Sequence, residues 1–97
     1  MNYPNPFSDV TTFKFNNQDN GDALDLSLYI YDIRGNLVHT IFESYEISPK
    51  VINGLKWDGK DLNGYTLSQG IYIYKLQVHN TSENKTEVVH NKILKLK

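Results

Sequence analysis

The chain of 97 residues contains no cysteine, one alanine and three prolines. Without cysteine there are no disulfides, no thiolate nucleophile and no Cys-ligated metal, and the cellular compartment stays open. No apolar run approaches the roughly eighteen residues that a membrane-spanning helix needs. The formal charge of −1 gives no field that would draw the surface to nucleic acid or to an anionic membrane, so neither nucleic-acid binding nor direct membrane insertion is expected. Met1 is followed by a polar, proline-containing stretch and not by the apolar core of a signal peptide. The opening Met1-Asn2-Tyr3-Pro4-Asn5-Pro6 reads as an extended lead-in over residues 1–9, at the head of a C-terminal module excised from a larger protein, with a natural 97-residue protein as the alternative. The whole of 1–97 is expected to be one domain.

Seven tyrosines and four phenylalanines are present, and the alanine-poor, Tyr/Ile/Thr-rich composition favours strands over helices. Periodicity agrees. Thr11, Phe13 and Phe15 alternate with Val10, Thr12 and Lys14, which predicts a strand over Val10 to Asn16. Leu24, Leu26, Leu28 and Ile30 share one face opposite Asp25, Ser27, Tyr29 and Tyr31, the cleanest half-buried strand in the chain. Asp32-Ile33-Arg34-Gly35-Asn36 predicts a tight hairpin with Gly35 left-handed. Further strands are expected over Leu37 to Tyr45, Val51 to Trp57, Ile71 to His79 and Thr86 to Leu96, with a break at Ser48-Pro49. Turn signals every eight to twelve residues and no helical period indicate an all-β, immunoglobulin-like antiparallel β-sandwich of about seven strands, with Trp57 as its core plug.

Candidate chemistry is sparse. Asp58-Gly59-Lys60-Asp61-Leu62-Asn63-Gly64 has the oxygen donors of a calcium loop, but Lys60 and Leu62 fill the alternate positions and no glutamate follows at the required distance. A double turn, with Asp58 and Asp61 capping backbone N–H groups, explains the same residues. His39, His79 and His90 lie on different strands and are read as surface residues, so no metal site is assigned. Asp22 with Asp25, and Glu43 with Glu46, are read as solvated pairs without the burial that acid–base catalysis needs. No nucleophile elbow or phosphate loop is present. The segment is therefore read as non-enzymatic and without a cofactor.

The residues left over concern surfaces. Tyr72, Tyr74, Leu76 and Val78 share one face of their strand, and Ile71, Ile73, Lys75 and Gln77 the other. Both faces begin apolar, which fits a strand with one face in the core and Ile71 and Ile73 meeting something else. Lys92, Lys95 and Lys97 punctuate the last strand, either as guards against edge-to-edge pairing or as features read by a receptor. Tyr29 and Tyr31 would also serve as a carbohydrate platform.

Six blocks occur in one order: Tyr3-Pro4-Asn5-Pro6-Phe7, Thr11-Thr12-Phe13-Lys14-Phe15, Ile30-Tyr31-Asp32-Ile33-Arg34-Gly35-Asn36-Leu37-Val38, Trp57-Asp58-Gly59-Lys60-Asp61, Gly70-Ile71-Tyr72-Ile73-Tyr74 and the lysine-rich end. Together they resemble the C-terminal sorting domains of Bacteroidetes proteins exported by the type IX (Por) secretion system, a pattern shared with the immunoglobulin-like domain of FlgD, the flagellar hook-capping protein. Within that family the longer strand from Leu24 to Tyr31, the stretch from Thr40 to Trp57 and Tyr72-Ile73-Tyr74-Lys75-Leu76 are similar to the C-terminal domain of the system's sortase, a gingipain-type (C25) peptidase. The resemblance implies a folded export signal behind a passenger. It would pass through the periplasm to the outer membrane or cell surface, be recognised by an outer-membrane shuttle or translocon protein, and be removed by the sortase in cargo. It implies partner recognition by Gly70, Tyr72, Tyr74, Lys92, Lys95 and Lys97, with the edge of the terminal strand offered to the partner. The alternative is a structural or adhesive immunoglobulin-like module of a secreted or cell-surface protein, a spacer or a FlgD-like assembly domain.

Overall fold

The structure is a computed structural model and describes residues 2–96. The described chain forms seven strands: β1 (Asn2–Tyr3), β2 (Thr11–Asn16), β3 (Leu24–Asp32), β4 (Leu37–Tyr45), β5 (Val51–Trp57), β6 (Gly70–Asn80) and β7 (Lys85–Lys95). They make two antiparallel sheets, β1-β2-β5 and β4-β3-β6-β7, packed as a sandwich. The all-β expectation holds, and the five long strands after β2 fall within a residue or two of where periodicity places them.

β3 is central in the larger sheet, so its leucine face must be covered. Leu24, Leu26, Leu28 and Ile30 are all fully buried, opposite Phe13, Ile52, Leu55 and Trp57 of the smaller sheet in one apolar cluster. Trp57 packs 5.4 Å from both Phe7 and Tyr72, and Phe13 meets Tyr74 edge-on at 4.8 Å. The buried indole gives up its one polar atom to a local acceptor, Nε1 donating to the Lys60 carbonyl at 3.0 Å. With that donor satisfied, its apolar burial stabilises the fold by roughly 4–6 kcal/mol in gross terms.

The β3–β4 hairpin closes as its residues require. The Asp32 carboxylate accepts from the Arg34 and Asn36 backbone N–H groups, and Gly35 takes φ +87°. Those hydrogen bonds, chiefly the one from Asn36, hold the Asp32 carboxyl below its usual range. The loop after β2 is stitched to the break before β5, where Asn17 Nδ2 donates to Ser48 Oγ at 2.9 Å and to the Pro49 carbonyl at 2.8 Å.

The lead-in departs from expectation. Residues 2–9 are not simply extended. Asn2–Tyr3 pairs with Thr12 and Phe13 as a seventh strand, both X-Pro bonds are cis, and Phe7 enters the core. Strand periodicity could not find β1, because two residues are too few to show alternation. Val10 is exposed and lies outside β2.

Candidate functional site

β6 and β7 carry the residues of interest. The register pairs Gly70 with Lys95, Tyr72 with Ile93, Tyr74 with Asn91 and Leu76 with Val89. Alternation along β6 sends Tyr72, Tyr74 and Leu76 inward and leaves Ile71 and Ile73 on the outer face at 48% and 37% exposure. The Tyr72 hydroxyl donates to the Ser68 carbonyl at 2.7 Å. Burial pushes the Tyr74 phenol up, offset by a hydrogen bond with Asn91. The two tyrosines are thus core residues with their hydroxyls satisfied within the domain, and the adjoining isoleucines reach the surface.

The lysines separate in the same way. Lys92 is exposed, whereas Lys95 is only 1% exposed. Lys97 lies outside the described residues. Lys95 runs inward beside Phe7 and across Gly59, so close that a Cβ on Gly59 would lie 2.4 Å from Lys95 Cε and 3.5 Å from Phe7. Gly59 also sits at φ +76°. The Trp-Asp-Gly sequence is therefore a packing device. The tryptophan plugs the core, the aspartate Oδ1 accepts from the Lys60 N–H at 3.2 Å, and the glycine leaves room for a lysine stem. Asp61 Oδ1 likewise accepts from the Asn63 and Tyr65 N–H groups, so the double turn accounts for both carboxylates. Gly70 opens β6 with φ +150°.

The terminal strand does not offer an open edge at its end, contrary to expectation. Phe7 N–H donates to the Leu94 carbonyl at 3.0 Å and Leu96 N–H to the Phe7 carbonyl at 2.7 Å, a parallel bridge. Asn5 completes it, its Oδ1 accepting from Leu94 N–H at 2.9 Å and its Nδ2 donating to the Lys92 carbonyl at 3.2 Å. The Tyr-Pro-Asn-Pro-Phe block thus binds the C-terminal strand from the side. That contact spans nearly the whole sequence, which is why inspection of either end alone misses it. By ladder alternation, only Thr86, Val88 and His90, upstream on β7, turn main-chain groups outward without a strand beside them among the described residues.

The outer face of the larger sheet collects the rest. Tyr31 stands beside Ile73, which pairs with Lys92, and Ile71 pairs with Leu94. Lys75 lies 4.9 Å from the Tyr29 ring centroid. The result is an apolar patch next to the chain's end, bordered by Lys92. No metal chemistry assembles from the histidines. His39 lies on β4, His79 Nδ1 is 2.8 Å from Thr86 Oγ1, and His90 pairs with Lys75. Asp19, Asp22 and Glu83 do bring carboxylates together, but Lys85 bridges Asp19 at 3.7 Å and Glu83 at 3.0 Å, and Asp22 accepts from Asn80.

The family model described as the secretion system C-terminal sorting domain matches residues 2–90. The chain belongs to that family. It is a non-catalytic C-terminal sorting domain, which implies a secreted or cell-surface protein. No curated protein sequence matches the domain. Among solved structures it is similar to dimeric latent PorU from Porphyromonas gingivalis, with a TM-score of 0.79 and 24% identity over 99% of this chain and 9% of that one. A β-glucuronidase from Parabacteroides merdae gives 0.61 and 16% over 89% of this chain and 11% of that one. PorZ of P. gingivalis, an essential bacterial surface component of the type-IX secretion system, gives 0.48 and 18% over 100% and 11%. The sorting domain thus spans about a tenth of the length of each of these chains. The sandwich shared with a β-glucuronidase shows how little the fold alone says about function.

Proposed function

We propose that this domain is the export and docking signal of a protein carried through the periplasm by the type IX secretion system. A shuttle or translocon protein of the outer membrane reads it in the folded state. The observation that carries the reading is the family match over residues 2–90, which takes in β1 to β6 and the first half of β7. The contact surface is the outer patch of Ile71, Ile73 and Leu94 with Lys92 beside it, an exposed apolar area rimmed by charge. Gly70, Tyr72, Tyr74 and Lys95 contribute by fixing β6 against β7 behind that patch.

The test is a fusion of residues 1–97 behind a periplasmically exported reporter in a host that has the system. The reporter is expected in the medium or on the surface. A reporter retained in the periplasm with the domain intact would refute the proposal and favour a structural immunoglobulin-like module.

A second reading places the domain in the sortase itself, retained after export. Support comes from the nine-residue β3 and β4 and from the close superposition on PorU. The mass of the mature parent protein separates the two, since cargo loses the domain and the sortase keeps it.

A further inference from the structure

The inner face of β7 changes character part-way along. Ile93 and Lys95 are buried, but Val89, on the same face, is 49% exposed and Glu87 is open to solvent. The change falls where the opposite sheet runs out. β1 lies beside β2 only at Thr12 and Phe13, and no strand follows on that side of Phe15 and Asn16 among the described residues. The uncovered region is a groove of about 130 Å³ lined by Phe15, Leu76, Val78, Val89 and Glu87, with Phe13 and Tyr74 at its floor. An apolar groove between two sheets, beginning where one strand stops short, is a strand position left unfilled.

The register says what would fill it. β1 is antiparallel to β2, with Tyr3 opposite Thr12 and Asn2 opposite Phe13. Continued backwards, the same register carries the incoming chain along β2, so that the residue two places ahead of Asn2 falls opposite Phe15. Asn2 points inward, only 8% exposed, with its Nδ2 donating to Thr11 Oγ1 at 3.0 Å. Positions two and four places ahead of it share that inward phase.

We propose that the polypeptide leading from the passenger into this domain continues β1 along β2 and seats alternate apolar side chains in the groove over Phe15, Val78 and Val89. The sandwich is then completed by its own passenger's tether, and the passenger leaves the domain at a fixed place instead of on a free linker. The inference rests on the sorting-domain reading, because a C-terminal domain has a passenger ahead of it.

Hydrogen exchange in the full-length secreted protein, compared with residues 1–97 alone, tests it. Peptides spanning residues 13–17 and 87–91 are expected to exchange roughly tenfold or more slowly in the full chain, the factor that burial of one apolar side chain gives. Equal rates in the two proteins would overturn the inference. Val89→Lys in the full chain, at a site open enough to leave the isolated domain's thermal midpoint unchanged, is expected to restore fast exchange in both peptides. Persistent protection in that variant would also overturn it. So would protection of 87–91 that rises with the concentration of the isolated domain, since a second copy would then occupy the groove. Secretion of the reporter fusion checks the sorting reading separately, because that fusion enters the domain through an unrelated linker.

Discussion

At the scale of single residues, Gly59 and Gly64 make a controlled pair. Both have positive φ, +76° and +86°, but only Gly59 lies under another side chain, whereas Gly64 faces open space. Gly64→Ala carries the backbone cost alone, about 1 kcal/mol. Gly59→Ala adds a collision with a buried lysine stem that is held between the turn and Phe7, and is expected to cost about 2–4 kcal/mol. Urea denaturation of the two variants checks the difference; equal midpoints would mean that Lys95 swings aside freely. A second residue-scale effect sits at the opposite edge, where the Tyr45 hydroxyl donates to the Glu43 carboxylate. That hydrogen bond, with partial burial and the carboxylate's charge, pushes the phenol up to about 12 from an ordinary value of 10.0. The folded state therefore keeps its proton where the unfolded chain loses it. The contribution is fully present below pH 10 and declines as pH rises toward 12. Tyr45→Phe should flatten that part of the stability–pH curve, leaving the smaller alkaline loss expected from Tyr74.

At the scale of elements, the segment around Asn5 is the brace of β7. Its side chain serves both Leu94 N–H and the Lys92 carbonyl. Asn5→Ala removes both and leaves an edge amide to water, a cost of about 1–2 kcal/mol. Exchange at the Leu94 amide should accelerate well beyond the global change, and a uniform acceleration along β7 would show that the bridge is not local. This brace also marks where sequence reading stopped. Leu24 to Ile30 announced β3 through strict alternation, and Trp57 announced the core through size, because those signals are local and survive in a linear string. Tyr72 and Tyr74 alternate with Ile71 and Ile73, and the reading that puts the tyrosines in the core and the isoleucines on the outer face agrees with their exposure. It is the tyrosines that meet Trp57 and Phe13. Lys95 reads as an edge lysine by type and spacing, and is buried only because Gly59, thirty-six positions away, leaves space for it. Contacts between chain ends and between distant turns carry no local signature, so the brace and the buried lysine were illegible until the strands were assembled.

At the scale of the whole molecule, stability and recognition run through the same strand and must be separated by choice of substitution. Ile93 is fully buried and residues 94–96 carry the bridge to Phe7, so removal of residues 92–97 takes away core as well as surface. Loss of a buried isoleucine alone costs about 2–5 kcal/mol, a large share of what holds a domain of this size together. A truncated domain that fails to be exported would therefore say nothing about the lysines. Lys92→Glu and Ile73→Asp act on side chains that face solvent. Each is expected to shift stability by no more than about 1 kcal/mol, and together they reverse the charge and break the apolar continuity of the outer patch. If that patch is what the outer-membrane machinery reads, the double variant stays folded, its thermal midpoint lowered by no more than about 8–16 °C, while the exported fraction of a reporter fusion falls several-fold. Lys95→Ala does the opposite, lowering the midpoint and reducing export only in proportion to the unfolded population. Export that tracks the midpoint across all three variants would mean that the machinery senses foldedness and not this face.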